Sequence, residues 1–222
     1  MPTCNSLTYE VIDTGSGGNA VVLNRSVLID CGVPYKALKE YVPALRLVLL
    51  THIHGDHFRK STIRRLAAER PLLRWGCGHW LVEPLTRCGV SLDKIDILEI
   101  GKLYGYGICN VIPVPLVHNV PNQGYKIHFP TGKVIYCTDT GNLNGIKARW
   151  YDLYLIEANY EDSELDQRIV DKKERGEYAY EIRVKHDHLS KDQADDFIYR
   201  NIGPNGYYIY MHAHEEKESH DN

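Results

Sequence analysis

The strongest constraint on this chain is the apolar run at 45–50, interrupted only by Arg46, which leads directly into Thr51-His52-Ile53-His54-Gly55-Asp56-His57. The run reads as a buried strand, and it delivers a cluster of chemically able side chains to the strand's end. Three imidazoles and one carboxylate so closely spaced suit zinc or a similar borderline metal, which takes His nitrogen and Asp oxygen. Side chains two apart on an extended segment share a side, so His52 and His54 can grip one ion. Asp56 and His57, in the turn that follows, are then free to face a second. The bland alternative is a His-rich surface loop, but such loops rarely follow a β-rich apolar run.

At 222 residues the chain fits one medium domain, placed at 1–214, with 215–222 expected to fray. Its 43% hydrophobic and 25% charged content is that of a globular protein and disfavours disorder. The longest apolar runs are strand-sized, and no basic segment precedes an apolar block near residue 1. Neither a signal peptide nor a spanning helix is expected, and the expected location is cytoplasmic, without a membrane partner. Six cysteines, at 4, 31, 77, 88, 109 and 137, form no Cys-x-x-Cys pair, which argues against a zinc ribbon and a redox motif; reduced, mostly buried thiols are expected. A net charge of −3 supplies no global basic field, so a nucleic-acid substrate would need a local patch. Nothing in the sequence supports an oligomer.

Along the chain, strands are expected at 8–12 and 20–23 around the turn Asp13-Thr14-Gly15-Ser16-Gly17-Gly18-Asn19, which is either a simple hairpin or a backbone cradle for phosphate. A strand at 26–29 ends in Asp30, and a short helix at 34–41 precedes the 45–50 strand. Ser61 reads as the cap of a helix reaching Glu69. Arg59, Lys60, Arg64 and Arg65 beside the cluster are either a solvated face or contacts for substrate phosphates. Cys77 and His79 read as packing residues. Strands at 95–100 and 108–114 lead to His118, a hairpin at 125–129 and 133–136 ends at Asp139, and a strand at 151–156 runs into Glu157. A charged helix at 163–173 and an irregular cover to residue 186 precede His188, a helix at 191–200 and a last strand at 207–211 before His212.

The His-x-His-x-Asp-His pattern of His52, His54, Asp56 and His57 resembles the signature of the metallo-β-lactamase superfamily. His118, Asp139 in Thr-Asp-Thr-Gly and His212 stand where that family has its third His of site one, its bridging Asp and its last His of site two. The resemblance spans about residues 11–214 and implies an α/β (α+β) four-layer αββα sandwich holding two divalent ions, zinc with manganese as the other option. It also casts Asp30 as a support for the metal loop, held by backbone donors of residues 52–57.

Two such ions, about 3.5–4 Å apart, can share a bridging hydroxide and stabilise charge on a phosphoryl or acyl oxygen, so hydrolysis is expected. Gly55 stands where the redox branch has Glu, and Asp139 is present where classical lactamases lack it. Glu157-Ala158-Asn159 and His188-Leu189-Ser190 resemble a pair found in tRNase Z and similar phosphodiesterases, and the Gly-rich turn resembles the YycJ/WalJ-like branch. His188, oriented by Glu157, is expected to protonate a leaving oxygen; the alternative is a capping or surface His. The expected catalytic set is therefore Asp56, Asp139, Glu157 and His188. A nuclease is preferred, with a cyclic-nucleotide phosphodiesterase, a glyoxalase II-like thioester hydrolase and a metal-binding protein without turnover as alternatives. The stretch between Asp139 and His212 has no room for a large inserted RNA-processing domain.

Overall fold

The computed structural model describes residues 6–212; the frayed tail expected at 215–222 lies outside them. Among the described residues, twelve strands form two six-stranded sheets. In the first, β1 (Tyr9–Asp13), β2 (Ala20–Leu23), β3 (Val27–Ile29), β4 (Leu47–Leu50), β5 (Arg74–Cys77) and β6 (Ile95–Ile97) lie in chain order. The second mirrors it, with β7 (Tyr104–Gly105), β8 (Asn110–Leu116), β9 (Asn122–Phe129), β10 (Gly132–Cys137), β11 (Leu153–Glu157) and β12 (Tyr207–Met211). β3 to β6 are parallel, as are β10 to β12.

Strand alternation explains the layers. On β4, Leu47 and Leu49 face the second sheet and meet a core that includes Tyr125, Tyr136 and Leu155. Val48 and Leu50 face the other way, into a core shared with Ile63 and Leu66 of α2 (Lys60–Glu69) and Leu85 of α3 (Val82–Arg87). On the far side, Ile135, Tyr154 and Ile156 pack under Ala194, Phe197 and Ile198 of α6 (Lys191–Asn201). Helix, sheet, sheet and helix thus follow in order, an αββα sandwich. A strand buried on both faces must be apolar at both parities, which is why β4 reads as a continuous run.

Several boundaries differ from the sequence expectation. α2 has Arg59 at its cap with no capping side chain, and Ser61 lies inside its first turn. Its entry is held instead by Arg59 N–H donating to Cys31 O at 3.0 Å. The helix expected at 34–41 is α-helical only at Tyr35–Leu38 (α1); Pro43 sits in the tighter turn that follows. Arg46 stays outside β4. β8 runs on to Leu116 through Pro113 and Pro115, because the two-residue β7 pairs only with Asn110 and Val111 and demands no N–H from the prolines. The cover after α4 (Asp162–Glu174) contains a further helix, α5 (Glu181–Asp187), which ends against His188.

Candidate metal centre

Most side chains expected at the site emerge at strand ends, while His54, Asp56 and His57 follow in the loop after β4 and His188 lies between α5 and α6. His52 lies two residues beyond β4, His118 two beyond β8, Asp139 two beyond β10, and His212 directly beyond β12; Glu157 ends β11. Asp30, Asp139 and His212 leave their strands with φ of 60°, 57° and 52°. This left-handed geometry costs a non-glycine residue of order 1–3 kcal/mol and is sustained by the surrounding contacts. Close backbone approach is needed too: a Cβ on Gly32 would lie 1.6 Å from Asp56 O, so only glycine lets the 52–57 loop dock against β3's end.

Each imidazole but one is anchored through one nitrogen. His57 Nδ1 lies 2.7 Å from Asp30 Oδ2, His52 Nδ1 3.0 Å from Thr51 Oγ1, His118 Nδ1 3.0 Å from Asp187 O and His212 Nδ1 3.1 Å from Glu157 Oε1. The opposite nitrogens converge. His52 Nε2 and His118 Nε2 lie 3.1 and 3.3 Å from His54 Nδ1. Tetrahedral ligands about 2.0–2.1 Å from zinc would be about 3.3–3.4 Å apart, so this trio has the spacing of a metal-binding face. Beside it, His57 Nε2 lies 2.9 Å from Asp139 Oδ2 and 3.5 Å from Asp56 Oδ2, which in turn is 3.7 Å from His212 Nε2. Among the described residues, His52, His54 and His118 form one group that could hold an ion and Asp56, His57 and His212 another.

The charge balance fits the same reading. Asp139 is 2% exposed, and its Oδ2 is buried without a hydrogen-bond partner. His57 stands 2.9 Å from that oxygen, but an ion contact without hydrogen-bond geometry leaves the carboxylate's lone pair open to a cation. Burial opposes ionisation of Asp139, yet the imidazoles of His57, His212 and His52 hold its carboxyl well below the usual range. Burial likewise opposes a proton on His212, but Asp56, Glu157 and Asp139 push it up to about 10. Burial lowers His52 and His118, assisted by neighbouring imidazoles. The acidic half thus demands positive charge and His52 and His118 are biased toward neutral ligands, the donor set a divalent cation requires.

His188 stands between the two halves. Its ring centroid is 5.3 Å from those of both His118 and His212, and its Nδ1 is 2.7 Å from Glu157 Oε1. Burial would lower its pKa, but the Glu157 carboxylate raises it above the ordinary value. Glu157 is fully buried, and its Oε2 accepts from Thr140 N at 2.8 Å and Leu189 N at 3.3 Å.

Sequence reasoning missed several supports. Asp30 is held by Thr51 N–H at 2.9 Å, the Thr51 hydroxyl, the His57 ring and the Tyr136 hydroxyl, not by the backbone of residues 52–57. The reason is that β3 and β4 are adjacent, so Thr51 is the first residue to meet Asp30. Asn19, from the Gly-rich turn, places its amide nitrogen 3.3 Å from Asp56 Oδ2 and 2.9 Å from His57 Nε2. The turn therefore braces the metal loop. Arg59, Lys60, Arg64 and Arg65 are exposed, and Arg65 pairs with Glu69 at 2.9 Å over the Tyr35 ring. Cys77 is buried in β5, and His79 packs edge-on against Trp80; neither joins a metal-competent group among the described residues.

The fold has solved counterparts. YhfI, a metallo-β-lactamase-fold protein from Bacillus subtilis, superposes with a TM-score of 0.73 at 16% identity, over 93% of this chain and 86% of that one. The short form of human tRNase Z gives 0.68 at 17% identity, over 93% and 92%. Zinc-bound PqqB from Methylobacterium extorquens gives 0.66 at 11% identity, over 92% and 88%. No curated protein matches the sequence significantly. Residues 24–200 match the model of the beta-lactamase superfamily domain. With that match over most of its length and two facing sheets that gather His and Asp side chains at their strand ends, the chain belongs to the metallo-β-lactamase-fold superfamily, whose members are generally hydrolases.

Proposed function

We propose that this protein is a phosphodiesterase dependent on two divalent ions, zinc or manganese, and acts on nucleic acid, with a cyclic nucleotide as the second substrate class. His52, His54 and His118 would hold one ion, Asp56, His57 and His212 the other, with Asp139 between them. When bound, such ions lower the pKa of water and neutralise charge on the phosphoryl group. The chain itself supplies the leaving-group proton. The Glu157–His188 contact at 2.7 Å carries this reading: it fixes Nδ1, leaving Nε2 as the nitrogen a substrate can use, and the side chain is 20% exposed. A departing alkoxide needs that proton, whereas a thiolate does not. The similarity of the fold to tRNase Z supports the same substrate class.

The test is a panel of linear DNA, RNA, cyclic nucleotides and bis-p-nitrophenyl phosphate with the metal-loaded protein. His188→Ala should retain metal and lose roughly 10²- to 10⁴-fold on an unactivated diester, and far less on the nitrophenyl ester. Equal losses on both, or stripped metal, would make His188 a ligand or a support and favour the thioester reading.

A further inference from the structure

Beside the metal centre lies an open groove of about 520 Å³, lined by Trp80, Ile100, Pro115, Val117, His118 and Asn122, among others. Its position follows from topology. β4 and β5 are parallel and end level, Leu50 beside Cys77, so the segments leading to His52 and to Trp80 emerge side by side. His118, two residues beyond β8, contributes to the groove as well as to the imidazole trio. The groove therefore opens from the centre itself, within the size range of small-molecule sites.

Its lining is largely apolar. Ile100 and Val117, 45% and 44% exposed, both line it. The Trp80 ring lies against Gly78, where a Cβ would come within 2.3 Å of it, so glycine is what seats the indole in this position. In the floor, Asn122 is 6% exposed and donates its amide nitrogen to Thr138 O at 3.1 Å and Asp139 O at 2.7 Å. Those two acceptors fix the amide orientation. They leave Asn122 Oδ1 as a buried acceptor without a partner among the described residues. An unpaired buried carbonyl is costly and invites a donor.

A ligand for this groove has a planar apolar face, an N–H donor on its edge and an anionic group at the end beside His118. We propose that the groove is a nucleobase subsite for the residue flanking the scissile phosphate, with the base stacked on Trp80 and its exocyclic amino group donating to Asn122 Oδ1. Adenine, cytosine and guanine carry such a donor. A hydrocarbon chain would fill the walls but leave the acceptor unpaired. The subsite deepens the phosphodiesterase reading and rests on it.

The experiment compares adenosine 5′-(p-nitrophenyl phosphate) with methyl p-nitrophenyl phosphate, which share a leaving group and differ in the retained group, adenosine against methyl. Wild type should favour the nucleoside ester in kcat/KM. Trp80→Ala should reduce that preference by about 5- to 100-fold, the range for one base stacked on an aromatic ring, while leaving the methyl ester's rate unchanged. Trp80→Phe should restore most of it, because Trp80 Nε1 has no hydrogen-bond partner to lose among the described residues. Ile100→Asp, on an exposed side chain, is the second variant should Trp80→Ala not fold. Replacing adenine by unsubstituted purine should weaken wild-type recognition. In parallel, AMP binding to the metal-loaded protein is measured by calorimetry, and should weaken in Trp80→Ala by the same factor. An unchanged preference and AMP affinity in the folded variants would overturn the subsite while the diesterase reading stood. A hexyl ester cleaved as well as the nucleoside ester would also overturn it, assigning an apolar chain. If neither ester is cleaved, the diesterase reading fails and AMP binding alone decides: loss of affinity in Trp80→Ala upholds the groove, and absent or unaltered binding removes it.

Discussion

Gly141→Ala tests whether the centre depends on a single close approach. A Cβ at Gly141 would lie 2.0 Å from His186 O, and real Cβ atoms essentially never come under 3.0 Å. The strand end or the 186–188 segment must therefore retreat by at least about 1 Å. Gly141 N–H is held to Val117 O at 2.8 Å, and Thr140 N–H to Glu157 Oε2 at 2.8 Å, so the 186–188 side is the one expected to yield. Asp187 O, now 3.0 Å from His118 Nδ1, would move to about 4 Å, beyond hydrogen-bond reach, and His188 would shift with it. A 1 Å misplacement of catalytic groups can cost about 10²-fold, and overpacking typically costs about 1–3 kcal/mol. At this chain length that is a fall in Tm of about 2–12 °C. The assay is kcat/KM on an unactivated diester, with thermal unfolding and metal content measured on the same samples. Gly17→Ala is the control, since a Cβ there meets nothing within 4 Å. Activity within twofold of wild type in Gly141→Ala would refute the claim that this contact positions His118 and His188.

Elemental analysis of protein purified without chelator should approach two divalent ions per chain after incubation with zinc or manganese; a ratio at or below one would defeat the two-ion reading. Asp139→Ala should remove activity and bound metal together, because its carboxylate faces both ligand groups, whereas Asp30→Ala should act mainly through stability and metal retention; near-normal turnover of folded Asp139→Ala would show the carboxylate to be misassigned. The pKa of His188 is raised above the ordinary 6.5, so its acid form persists past that pH and the rate on an unactivated diester should fall as pH climbs through the raised value. Glu157→Gln removes the charge responsible and should move that falling limb to lower pH; an unmoved limb in the pH–rate profile would detach it from His188.

The strands of the first sheet and the 52–57 cluster were legible because both depend on local pattern, whereas His118, Asp139 and His212 were expected from the family resemblance alone. β4 announces itself by apolarity at both parities, and His52, His54, Asp56 and His57 fall within one loop. What the sequence hid is most of the anchoring of the rings: Thr51 is adjacent to His52, but Asp30 is 27 residues from His57 and Asp187 O is 69 from His118. α5 was hidden because its buried Glu181 and Asp187 break the apolar periodicity. The start of α6, expected at residue 191, lies there, and the reciprocal capping box of Ser190 and Gln193 is what fixes it.

Glu157 Oε1 accepts from His188 Nδ1 at 2.7 Å and from His212 Nδ1 at 3.1 Å. One oxygen atom thus sets the basicity of the proposed proton donor and of a candidate metal ligand together. Substitutions at these three positions should be strongly non-additive, because removing either imidazole hands the whole carboxylate lone pair to the other. Sequence drift here is constrained to concerted change: under the proposed function, a designer who retunes the leaving-group range through residue 188 would alter ion affinity at residue 212 in the same stroke.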